Sequence, residues 1–176
     1  MYKFERGNEK TQMKVSINEY RVDNINWFKE HEGLDAFQCD IIYSNEKIGF
    51  FSEDYMNGPD NYSFNKDFDE ELKKLRKASE SFFKNYSKEQ HFDDEDFFIR
   101  FLMSLNEATV EAKEGQAIII TTSYPYDYKI DKNSKLIEPT IIHDKDYDKL
   151  MIPVLPLNLN LQTLVETEKE TIENEL

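Results

Sequence analysis

The chain has 176 residues, 14% of them aromatic, and a net charge of −14 from 36 acidic against 22 basic residues. That length fits one domain, with a core built largely from Phe and Tyr. So acidic a field opposes direct binding to nucleic acid or to anionic membranes, and it favours basic protein partners, with plain solvation of the surface as the alternative meaning.

Residues 1–13 form a polar N-terminal segment, 14–162 read as a single domain, and 163–176 read as an acidic C-terminal tail with helical character. The opening residues Met1–Arg6 contain no apolar run like that of a leader, and no stretch approaches membrane-spanning length. Cys39 is the only cysteine, so no disulfide forms within the chain, and a reducing, cytoplasmic setting is expected. It lies on an apolar strand face and reads as a small buried hydrophobe.

Met13, Val15 and Ile17 alternate, which predicts a first strand over 13–22. Residues 23–33 read as a loop or a short helical turn ending near Gly33. They carry Trp27, the only tryptophan, which either packs in the core or anchors a partner from the surface. Phe37, Cys39, Ile41 and Tyr43 then alternate as a second strand. The Ser44–Lys47 stretch predicts a tight hairpin turn, because Asn45 tolerates positive φ. The returning strand places Ile48 and Phe50 on one face and Phe51 on the other, with Gly49 marking a bulge or a close backbone approach. A loop containing Asn57-Gly58-Pro59 leads to a short strand at Tyr62–Phe64.

This run of strand, polar turn, Lys47-Ile48-Gly49-Phe50, acidic residue, glycine-containing loop and Asn61-Tyr62-Ser63-Phe64 resembles the N-terminal hairpin of a group of small phage and mobile-element proteins. The resemblance covers about residues 14–64. Where that group is expected to carry Gly-Gly or His-Gly in the loop, this chain has Asn57-Gly58-Pro59. The resemblance implies an accessory protein and brings no catalytic residues with it.

Residues 67–86 predict a helix with Asp67 as N-cap, acids in the first turn, and an apolar stripe through Phe68, Leu72, Leu75, Ser79, Phe82 and Tyr86. Lys73, Lys74, Arg76 and Lys77 form a basic strip that ordinary pairing with nearby acids explains. A second helix is predicted over 93–113. Asp93 and Asp96 resemble a capping box, Phe98, Phe101, Leu102, Leu105 and Ala108 line one face, and Gly115 stands at its end. The β-branched run 117–122 predicts a strand buried on both faces. A hairpin is expected at Asp131–Ser134, with its return at Leu136-Ile137 marked as an edge strand by Pro139, then a short strand at 140–142 and a helical turn at 144–151. Residues 152–157 are extended and apolar, and 158–161 alternate like a strand. The expected fold is therefore α+β: an antiparallel sheet packed against two long central helices, with a charged C-terminal tail.

Constellations for chemistry are sparse. His31, His91 and His143 make no zinc pattern, and their neighbouring acids are better explained as helix starts and turns. A calcium-loop frame over 127–138 fails because Lys129 and Lys132 occupy a ligand position and the glycine position. Phosphate-binding glycine loops and the nucleophile elbow are missing. No catalytic, cofactor-binding or metal residue is assigned, and no cofactor is expected.

The acidic clusters at 67–71, 93–96 and 166–175 offer imitation of nucleic-acid phosphates as one route into a basic groove, while the helix dipole already explains the first two as helix-start acids. The expected function is that of a non-enzymatic accessory protein of a phage or mobile element. It would inhibit a basic nucleic-acid-handling protein such as a host defence nuclease. An acidic immunity protein that neutralises a toxin is the alternative, and a small enzyme using acid–base carboxylates is a third. The candidate partner contacts are Asp93, Asp94, Glu95 and Asp96, with Trp27, Asn57 and Gly58 behind them.

Overall fold

A computed structural model describes residues 15–29, 33–53, 60–86, 94–121, 127–136 and 138–154. Four strands come first: β1 (Tyr20–Lys29), β2 (Asp35–Tyr43), β3 (Glu46–Ser52) and β4 (Asn61–Phe64). Two helices follow, α1 (Phe68–Tyr86) and α2 (Asp94–Glu111), and then β5 (Ala117–Thr121), β6 (Tyr128–Asp131), β7 (Thr140–His143) and β8 (Asp148–Pro153). The α+β expectation holds. The strands form two antiparallel four-stranded sheets, one in the order β1-β2-β3-β4 and the other in the order β6-β5-β8-β7.

The first sheet is a meander held in register by its turns. Ser44 and Asn45 both have positive φ, 47° and 70°, the signature of a two-residue type I′ hairpin turn. A second such turn at Asn18 and Glu19 (φ 49° and 66°) lets Ile17 and Tyr20 exchange both backbone hydrogen bonds at 2.8 Å. The chain therefore doubles back inside the stretch expected to be one strand over 13–22. The expected loop at 23–33 is instead strand as far as Lys29. A bulge hides it: the β1–β2 register shifts between Asp23 and Asn26, where Asn24 has φ 52°.

On β2, Phe37, Cys39 and Ile41 are fully buried, as their alternation predicts. On β3 the register shift leaves Ile48 as the extra residue between Lys47 and Gly49. Alternation is broken there, so Ile48 joins Phe51 in the core while Phe50, expected on the same face as Ile48, is only half-buried. Gly49 is required by close approach. A Cβ at this position would stand 2.5 Å from the Ser63 carbonyl oxygen and 2.7 Å from the Phe64 ring.

Helix α1 is capped as expected, with the Glu70 amide donating to Asp67 Oδ1 at 2.9 Å. Its buried stripe runs through Glu71, Leu75, Ser79, Phe82 and Phe83, whereas Phe68 is 46% exposed. The basic strip is partly neutralised by Lys74–Glu71 at 2.9 Å and Arg76–Glu95 at 2.8 Å. Helix α2 is buried on nearly every side: Phe98, Ile99, Phe101, Leu102, Met103, Ser104, Leu105 and Ala108 are all inaccessible. Such a helix must be enclosed by other elements. It packs on β1, α1, β5 and β6, and one apolar cluster runs from Val22 and Phe51 through the helices to Ile118, Ile120, Leu150 and Ile152.

In the second sheet β5 is central and buried as predicted. The expected hairpin return at Leu136 does not form a strand, because β6 pairs with β5 instead; Ile137 lies outside the described residues. The expected helical turn at 144–151 is corrected as well. Its second half belongs to β8, whose Leu150 and Ile152 alternate into the core beside β5. Pro139 directly precedes the edge strand β7, which fits its lack of a backbone donor. Residues 155–176, with the expected terminal strand and tail, lie outside the described residues.

Candidate partner-binding surface

An aromatic row crosses the first sheet from edge to edge. Trp27 on β1 packs on Phe37 of β2 (ring centroids 5.4 Å), Phe37 on Phe51 of β3 (5.4 Å), and Phe51 on Tyr62 of β4 (5.1 Å). Tyr62 stacks on Phe64 at 6.0 Å, and Phe64 meets Phe68 of α1 at 5.6 Å. The middle of the row is buried, and both ends reach the surface, Trp27 at 41% exposure and Phe68 at 46%. Each such pair contributes roughly 0.5–1.5 kcal/mol beyond area burial.

Helix α2 lays a polar stripe along this row. Asp96, Arg100, Glu107 and Glu111 recur at helical spacing on one side of the helix. The Tyr62 hydroxyl donates to Asp96 Oδ1 at 2.5 Å, the Arg100 guanidinium sits 5.9 Å from the Phe51 ring centre, and Trp27 Nε1 donates to Glu107 Oε1 at 2.7 Å.

At the buried end, Arg100 holds two carboxylates. Its Nε lies 2.7 Å from Glu53 Oε1 and its Nη2 lies 2.6 Å from Asp60 Oδ2, with all three side chains at 13% exposure or less. Glu53 follows β3 and Asp60 precedes β4, so this guanidinium ties two neighbouring strands to the helix. Burial, seconded by the nearby Asp60 charge, pushes the Asp96 carboxyl up to about 6; the Tyr62 hydrogen bond and Arg100 oppose the rise. Burial and the Asp96 charge in turn drive the Tyr62 phenol well above its ordinary value. Among the described residues no three metal-ligating side chains converge.

The exposed end differs in character. Val110, one helical turn from Glu107, is 62% exposed. Beyond it the Tyr128 hydroxyl of β6 donates to Glu111 Oε1 at 2.9 Å. Burial, together with Glu111 and Glu107, pushes the Tyr128 phenol up to about 12. Two rings and two carboxylates from β1, α2 and β6 thus lie along one stretch of the surface, and Val110 is exposed on the same end of the helix.

The expected contact residues fall in several environments. Trp27 is exposed, and it belongs to this surface. Glu95 is buried against Arg76, and Asp96 accepts a hydrogen bond from Tyr62; its expected capping-box partner Asp93 lies outside the described residues. Asp94 opens α2. Asp93, Asn57 and Gly58 lie outside the described residues. Arg100, Glu53, Asp60 and Tyr62 were not singled out from sequence, nor were Glu107, Val110, Glu111 and Tyr128. For Glu107 and Glu111 a signal existed: two glutamates shortly before a helix-ending glycine are placed against the helix dipole.

No protein-family model, characterised protein or solved structure significantly matches the chain.

Proposed function

We propose that this chain is a non-enzymatic binding protein that engages a basic partner through the Trp27 surface and blocks that partner's work on nucleic acid. The observation that carries this reading is the setting of Trp27, 41% exposed and bonded to Glu107 in a chain of net charge −14. A large aromatic side chain held rigid at the surface is the usual anchor of a protein interface, and surrounding carboxylates select a basic face. The N-terminal hairpin's resemblance to phage and mobile-element proteins favours a host nuclease, such as a defence nuclease, as the target class. The test is functional. Purified target, recovered by affinity capture, is assayed for nucleic-acid binding and cleavage with and without the chain. Inhibition at stoichiometric chain supports the reading, and unchanged binding and cleavage contradicts it.

A second reading, an acid–base enzyme, draws on Asp96, whose carboxyl titrates near 6 beside a phenol and a guanidinium. The binding reading is preferred because Tyr62 already bonds Asp96, and Glu53 and Asp60 already pair with Arg100, between helix and sheet.

A further inference from the structure

The C-terminal turn of α2 breaks a local rule. A helix ends in partial negative charge, which basic residues in the last turn normally offset. Helix α2 carries no basic residue in that turn; Glu111 closes it, with Glu107 one turn earlier. Their neighbours moderate this only in part: Trp27 and Tyr128 each donate one neutral hydrogen bond to one carboxylate oxygen. The two carboxylates, each held by an aromatic side chain, concentrate negative potential at this end of the helix, where Val110 is also exposed.

We infer that Trp27, Glu107, Val110, Glu111 and Tyr128 form a receptor for an arginine side chain of the basic partner. This rests on the binding reading given above and specifies its chemistry. A guanidinium is planar, stacks on aromatic faces and forks onto carboxylates, all within one group. Its methylene stem covers apolar surface, which Val110 supplies. An ammonium offers a point charge without the fork or the stacking plane, so lysine fits less well. Charge complementarity operates at two scales, the −14 of the chain and a last helical turn that holds Glu111 and no basic residue.

Trp27 is the only tryptophan, so its fluorescence reports on this site directly. The full chain is titrated at low salt with a hexa-arginine peptide and, separately, a hexa-lysine peptide. The same titrations are run on Glu107→Gln and Glu111→Gln, whose folding is checked by circular dichroism. The arginine peptide is expected to change Trp27 emission and to bind roughly two- to fivefold tighter than the lysine peptide. That preference should fall in both variants. Equal affinities, no change in Trp27 emission and indifference to both substitutions would overturn the arginine receptor while leaving a basic partner in place. If neither peptide binds, the receptor is overturned too, and capture of a basic protein by the chain then decides the broader reading separately.

Discussion

Arg100 and Asp96 sit one helical turn apart on α2 and make opposite contributions to stability. Arg100 neutralises Glu53 and Asp60 in a setting nearly closed to solvent. Removing one partner of such a buried arrangement leaves uncompensated charge, so Arg100→Met is expected to cost about 3–5 kcal/mol by urea denaturation. A loss below about 1 kcal/mol would show that the carboxylates are solvated after all. Asp96 has a folded pKa of about 6, above the value of an exposed aspartate. A raised pKa means that the folded state favours the protonated carboxyl. Its stabilising contribution is therefore complete below the unfolded pKa near 4 and is lost as pH rises through about 6. Asp96→Asn keeps an acceptor for Tyr62 without the charge. Its melting temperature should match wild type below about pH 4 and exceed it by a growing margin as pH rises to 8. Equal destabilisation at both pH values would contradict the assignment.

At the scale of elements, the strength of the sequence signal tracks how regular each element is. Helix α1 was legible because Asp67, the following acids and the spacing of Leu75, Ser79 and Phe82 all point the same way. The Ser44-Asn45 turn was legible because its chemistry admits few backbones. β1 was not, because the Asn24 bulge breaks alternation midway, and neither was the turn at Asn18-Glu19 inside an apparently continuous apolar pattern. β8 was hidden by its charged start at Asp148-Lys149, and only its pairing with β5 declares it a strand. The candidate surface was legible only at Trp27, since its other members come from α2 and β6 and meet by tertiary packing alone. Gly49 gives a direct test of the β3–β4 contact. Gly49→Ala places a methyl against the Ser63 backbone, which cannot yield as a flexible side chain would, and is expected to cost about 1–3 kcal/mol. Amide exchange should accelerate first at Asn61–Phe64, the partner of β3. Uniform exchange across the first sheet would argue that β4 is not the strand displaced.

For the whole molecule, two sheets and α1 enclose a helix that is itself almost fully buried, so α2 can carry a fixed charge pattern from the core to the surface. Among the described residues no helix is long and apolar enough to cross a membrane. The excess of acid over base is large enough that association with a basic partner should be salt-dependent, because exposed charges are screened beyond about 10 Å at 0.1 M salt. On the proposed binding reading, Trp27 would provide the part of the contact that salt does not screen.

The most direct measurement is affinity capture from a bacterial lysate at low and high salt, with wild type and the Trp27→Ala/Glu107→Gln double variant side by side, read by mass spectrometry. The account predicts one basic nucleic-acid-handling protein on wild type at low salt, sharply reduced both at high salt and on the variant. Recovery of the same proteins by wild type and variant at either salt would contradict it.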